Sequence, residues 1–477
     1  MKAYKLLSAI LFGFCCVTSV IAASEKSASI ADLSTAYTKT ENTDEKAAIL
    51  SQLISVNNIE AHTAFYDLLR KADKLESPIF KTALKKSGTP TLLINFGIYT
   101  DRLMDPFRSE VKKNPNMSMS DKLTLQDKAN KLMTPILSNM EKLALEIDLV
   151  ARKDPETLVK AFEKSFNDDN GKECELAGPL LGLSMMGEDG VAAFYKFIDS
   201  TSKNAGPIMI IVVKTFGPKA VIPTLKQCED PSSTAAARKI ASTVIFSFPE
   251  NEEVYDKVAE AYIHGRYFKM KEGKMNMADM MAAVGSWWGN FLKAKYRDNK
   301  KFIDYVARSY LKNPDAQPKI IEFLADTNFG IAAPYFLAMD FTKLPEASLE
   351  ALGHVAYVPI KLSSLEEPSS EKNYKSEKFS LYCALFKSMS PDTRAKKQTI
   401  IGLSGFPPEY KELFVESNIG ILTDEEKITI AFSCSNDSLG REKMPQKIQQ
   451  SILKTLRNGA SQKVLEIINY MDKKIPI

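Results

Sequence analysis

The chain is poor in the residues from which most active sites are assembled. Among 477 residues there are 3 histidines, His62, His264 and His354, and none lies a helical turn from another. A His-Glu-x-x-His zinc pair is therefore excluded, and a metal site would have to gather distant segments with carboxylate help. No Cys-x-x-Cys occurs, which removes zinc ribbons and thioredoxin-like redox chemistry. Neither form of glycine-rich phosphate loop is present. Gly182-Leu-Ser184-Met-Met-Gly187 is one residue too long for a serine-hydrolase elbow and lies in a helical pattern, where close helix packing at Gly182 is the better account. Ser-x-x-Lys at Ser309, Ser369 and Ser451 lacks the downstream Lys-Thr/Ser-Gly strand of penicillin-binding enzymes. No cofactor is implied. The charge surplus is small, 63 Lys+Arg against 59 Asp+Glu, so there is no electrostatic footprint for nucleic acid.

Long apolar runs are scarce too. Residues 6–20 form one, preceded by Lys2 and Lys5 and followed by Ala22 and Ala23, which is the layout of a secretory leader cut near Ala22 or Ala23. The expectation is an exported protein, periplasmic or secreted. Past the leader no segment is expected to reach spanning length. The most apolar stretch, residues 207–213, is ended by Lys214 and reads as a buried helix. The chain has 6 cysteines, and Cys15 and Cys16 fall in the leader. Export permits Cys174, Cys228, Cys383 and Cys434 to pair, by chain proximity Cys174 with Cys228 and Cys383 with Cys434; the alternative is small buried thiols.

What is present in abundance is apolar residues at helical spacing. Ile49, Leu50, Leu53 and Ile54 form one stripe, and Val464, Ile467, Ile468 and Met471 another. Leu132, Ile136, Met140, Leu143, Ile147 and Val150 align along residues 120–152, where Pro135 is expected to kink or split the helix. The best strand-like run, residues 355–362, contains Pro359 and reads as an extended connection into a polar segment. The carboxylates Asp424, Glu425 and Glu426 follow Thr423 at a helix start and read as solvated. The organisation is then a leader (1–23), an N-terminal helical region (24–154), helical repeats (155–356), a linker (357–378) and a C-terminal helical region (379–477).

The middle of the chain has a period. The run from Gly187 can be laid on the run from Gly217 at an offset of 30 residues, matching Val191 with Val221 and Asp199-Ser200 with Glu229-Asp230. Gly187 and Gly217 sit where a helix ends and positive φ is useful. Pro218 and Pro231 suit first turns, and Asp230 is placed to cap the helix that follows. A helix pair of this length cannot bury its apolar face alone, so successive pairs should stack. Gly217-Pro-Lys-Ala220-Val221-Ile-Pro223-Thr-Leu225, then Asp230-Pro231 and Arg238-Lys-Ile-Ala241, resembles a HEAT-like repeat of the phycobilisome-lyase type, most clearly over residues 155–247. Two residues too many separate Asp230 from Arg238, and the unit from Gly187 lacks both signatures. The resemblance implies an all-α fold, an α-solenoid or superhelix of HEAT-like helix pairs, and a surface for partners; it carries over no catalytic residue.

Residues 262–297 are unusual. They hold Tyr267, Phe268, Met280 and both tryptophans, Trp287 and Trp288, among Arg266, Lys269, Lys271, Lys274 and Lys293. Methionine and tryptophan at a surface adapt to and anchor partners, whereas the same residues inside are ordinary core. The expected function is an exported, non-enzymatic α-solenoid that binds a protein or peptide through its helical surface, with Tyr267, Phe268, Met280, Trp287 and Trp288 as anchors. The alternatives are a secreted enzyme on a helical toroid, a polysaccharide lyase or hydrolase, and a peripheral protein whose partner is a membrane surface.

Overall fold

A computed structural model describes residues 29–73, 76–168, 173–230, 232–264, 288–357, 375–396, 399–403, 406–435 and 444–474. The expected leader, residues 1–23, lies outside them. The described residues are all-α, with no β-strand among them. The chain divides into two compact units, residues 1–244 and 245–477.

The first unit contains α1 (Ile30–Lys39), α2 (Thr43–Ser55), α3 (Ile59–Lys71), α4 (Ser77–Ser87), α5 (Pro90–Lys113), α6 (Met119–Lys142), α7 (Ala144–Lys153), α8 (Pro155–Asn167), α9 (Glu173–Met185), α10 (Glu188–Phe197), α11 (Ala205–Phe216), α12 (Val221–Glu229) and α13 (Ala235–Val244). Several helix starts are capped by side chains: Ser29 and Asp32 form a reciprocal box, and Asn42, Asn58, Ser118 and Asp154 each accept from the first turn. Most helices pack on a neighbour in sequence, and often on the next but one: α1 on α3, α2 on α4, α3 on α5, α8 on α10, α10 on α12, α11 on α13.

Helix α9 sits against α5, α7, α8 and α10. Its glycines make this possible. A Cβ at Gly178 would lie 2.1 Å from the Leu93 carbonyl oxygen and 2.6 Å from the Gly97 nitrogen, and one at Gly182 would lie 2.7 Å from a Leu93 methyl. Gly178 and Gly182 are one turn apart and face the same neighbour, so the close packing expected at Gly182 is found.

The stripe is buried from Ile136 to Val150, with Leu132 half-buried, but the break is not at Pro135. Pro135 lies within α6, exposed, where the carbonyl it leaves unpaired can meet water. The chain turns instead at Leu143, with φ −99° and ψ 12°. The apolar run of residues 207–213 also extends further than expected. Ala205–Glu229 is long and apolar enough by length and composition to cross a membrane, yet Gly217 interrupts it at φ 57° and 56% of its most apolar window is buried inside the protein.

The second unit contains α14 (Glu252–His264), α15 (Trp288–Tyr296), α16 (Lys300–Tyr310), α17 (Gln317–Leu337), α18 (Glu346–Tyr357), α19 (Lys375–Ser388), α20 (Pro391–Lys396), α21 (Thr399–Gly402), α22 (Pro408–Asn418), α23 (Asp424–Ser435), α24 (Gln446–Leu456) and α25 (Gln462–Lys474). Next-but-one packing recurs in α14 on α16, α17 on α19, α22 on α24 and α23 on α25. Val355 and Tyr357 belong to the last turn of α18, not to an extended connection; packing of α18 on α17 and α19 outweighs the β-branched propensity.

Candidate partner-binding surfaces

Tyr267, Phe268, Met280 and Trp287 lie outside the described residues. Trp288 opens α15, and its side chain also lies outside them. The remaining surface features come from the repeat.

Two local features recur near the 30-residue offset. Gly187 has φ 65° and ψ −126°, and Gly217 has φ 57° and ψ −127°. A Cβ is strained there, so glycine at both positions has a local cause. Beyond the helices that follow, two Asx turns repeat. Asp199 Oδ1 accepts from the Thr201 amide at 2.9 Å and hydroxyl at 2.7 Å; Asp230 Oδ1 accepts from the Ser232 amide at 2.9 Å and hydroxyl at 2.6 Å. Asp199 therefore matches Asp230, one residue beyond the register read from the sequence. These turns hold both carboxyls below their ordinary pKa, the hydroxyl bond contributing most. Asp230 is thus occupied at the end of α12 and does not cap α13. Thr234 does, its Oγ1 accepting from the Ala237 amide at 3.1 Å. Arg238 folds back onto the carbonyls of Ser233, at 2.7 Å, and Asp230, at 3.2 Å.

Between α10 and α12 runs a cleft of about 770 Å³, open along one side. Ala192, Ile198, Pro223 and Ala237 give it an apolar floor, and Lys196 and Lys226, equivalent at the 30-residue offset, are exposed beside it. Its far wall is the hydroxyl-rich turn after α12. Gln227 Nε2 donates to Ser233 Oγ at 2.6 Å, and the Ser200 and Thr234 hydroxyls lie 3.1 Å apart. Beneath it Tyr195 donates to Thr224 Oγ1 at 3.0 Å, both buried. At the start of α10, Asp189 accepts from Arg152 at 2.6 Å. The cleft mixes apolar floor, amide, hydroxyl and charge, which suits an extended polypeptide that must satisfy its own backbone groups. The sequence reading missed this cleft: its hydroxyl wall carries no motif.

The other candidates resolve into structural roles. His62 is buried, donating through Nε2 to the Ile54 carbonyl at 3.2 Å and accepting at Nδ1 from Asn95 at 2.7 Å, and burial lowers its pKa. His264 and His354 are exposed. Among the described residues no group of three or more His, Cys, Asp or Glu is arranged to hold a metal ion. Cys228 and Cys434 are buried free thiols pushed up to about 12, and half-buried Cys383 to about 11, all by desolvation; the pairing of Cys383 with Cys434 is not made. Glu426 is not solvated. It lies buried in a two-pronged ion pair with Arg394, at 2.8 and 3.2 Å, while its Oε2 accepts from the Thr423 amide at 2.9 Å. Asp424 and Glu425 remain exposed.

No protein-family model, curated protein or solved structure matches the chain.

Proposed function

We propose that this chain is an α-solenoid of HEAT-like helix pairs that works after export as a binding protein, holding an extended segment of a protein partner along the α10–α12 cleft and performing no chemistry of its own. The observation that carries the reading is the tandem geometry of residues 187–234, where paired glycines and paired Asx turns recur at successive helix pairs. Units that repeat their turns present equivalent side chains at regular intervals, and such surfaces bind extended partners by repetition of modest contacts. The cleft's balance of apolar floor and polar wall supports a polypeptide over an anionic polymer, because Glu188, Asp189 and Asp230 line it alongside Lys196 and Lys226. The anchors Tyr267, Phe268, Met280, Trp287 and Trp288 belong to the same reading as a second contact.

The test is photo-cross-linking in the cells that make the protein. A photoreactive residue at Ser232 should yield a discrete adduct with another protein, and one at exposed Lys463 should not. Equal recovery from both positions, or none from Ser232, defeats the cleft. Turnover of an extracellular polymer by the purified protein, abolished by a single carboxylate substitution, would defeat the binding-only reading.

A further inference from the structure

Helices α5 and α6 are each 24 residues long, whereas α7 and α8 have 10 and 13. The excess is not buried in the core. From residue 102 to residue 128 no residue is buried, so the end of α5, the turn and the start of α6 form an arm that reaches about 15 Å past the last core residues, Asp101 and Ala129. The arm is braced at its base, where Arg108 pairs with Asp101 and Asp105. Its turn is ordered by local bonds: Asn114 donates to Glu110, and Ser118 donates to Asp121 and caps α6.

The tip is not the polar end that a solvent-exposed turn would be. Met119 is 70% exposed, Leu123 50% and Val111 38%. Met119 and Leu123 share one face of α6, one turn apart. Around them Lys112 and Lys113 are exposed and Lys122 is half-buried. The acids nearest the tip, Glu110 and Asp121, accept the turn's own hydrogen bonds, and Lys112, Lys113 and Lys122 outnumber them, so the tip is net positive. Exposed apolar side chains framed by lysine at the end of a projecting helical element are what an anionic bilayer surface accommodates. The apolar groups enter the headgroup boundary and the ammonium groups meet lipid phosphates.

We propose that the α5–α6 arm is a membrane-contact element whose tip rests on an anionic lipid surface. A protein carrying it would hold its partner-binding helices near that surface.

The full-length protein should float with vesicles containing phosphatidylglycerol and not with vesicles of phosphatidylcholine alone. Met119→Asp with Leu123→Asp, and separately Lys112→Glu with Lys113→Glu, should each cut flotation about tenfold or more. Met119→Ser with Leu123→Ser serves if the acidic pair perturbs the arm, and circular dichroism should be unchanged because no core residue is altered. Failure of the wild type to float, equal flotation on both lipids, or flotation unaffected by the variants overturns the proposal. If the variants instead dissolve a self-associated species seen by sedimentation, with no lipid effect, the tip belongs to a protein interface. Cross-linking from Ser232 is read independently, so either proposal can fail alone.

Discussion

Around α3 in the first unit the buried polar groups are neutral: His62 with Asn95, Tyr66 donating to the Leu92 carbonyl at 2.6 Å, and Asn139 donating to the Leu69 carbonyl at 2.8 Å. Around α23 in the second unit they are charged. Arg394 pairs with Glu426 and gives two further N–H groups to the Met389 and Ile421 carbonyls, and Lys427 donates to the carbonyls of Asn458 and Gly459 just past α24. Both sets of groups named here are hydrogen-bonded, but they respond differently to substitution. A neutral hydrogen bond lost inside costs the desolvation of one group; a charge left alone costs more, because the solvation it gave up was larger. Both regions also rest on aromatic packing, Phe65, Tyr66, Phe80 and Phe96 in the first, Tyr382, Phe386 and Phe414 in the second.

Substitutions that isolate one partner sharpen this contrast. The largest effect is expected at the ion pair. Arg394→Met should lower stability by about 4 kcal/mol, seen as a fall in the urea midpoint. The double change with Glu426→Leu should recover most of it; a double variant no better than the single one would show that the pair's hydrogen bonds, not its charge, carry the region. Next is Gly178→Ala in the first unit. Its methyl meets backbone on α5 that cannot rotate away, so the helices must separate at a cost of about 3 kcal/mol. A neutral outcome would mean that α5 and α9 are more loosely held than their distances say.

Third is His62→Leu, expected to cost about 2 kcal/mol at neutral pH by stranding the Asn95 amide and the Ile54 carbonyl. The pH dependence gives it a signature. Burial lowers the pKa of His62 in the native state. The unfolded chain then takes up the proton first as pH falls below about 6.5, so His62 favours the native state above that pH and this is lost as pH falls toward the native value. Denaturation midpoints of wild type and variant should converge on acidification; parallel curves would assign the acid response elsewhere. The smallest effect is at Tyr195→Phe, about 1 kcal/mol for one neutral bond to Thr224, read from the same midpoints. A cost as large as that at Arg394 would erase the distinction between neutral and charged interiors.

The stripes at Ile49 to Ile54 and Val464 to Met471 were legible because burial of one helix face imposes a period that the order of apolar residues displays. Glycine at 187 and 217 was legible because few residues adopt that backbone. Glu426 was not: its acidic neighbours Asp424 and Glu425 stay in water, and nothing local marks which of the three meets an arginine 32 positions away. Thr234 lost its role to Asp230 in the reading because both are good caps, and only the turn's hydrogen bonds show which one is already engaged. The break at Leu143 was misassigned to Pro135 because a proline's cost depends on whether the carbonyl it strands can reach water, and that is a property of the surface.

By itself, then, the sequence determined that the chain would be helical, which faces of several helices would be buried, and that glycine would stand at 187 and 217 for a positive φ, since each of these follows from side chains a few positions apart. Tertiary structure decided which acid is buried, which glycines admit a neighbouring backbone, and that two helices would outrun the core to form an arm. Those outcomes depend on partners far along the chain, and solvent exposure is known only when the partners have met.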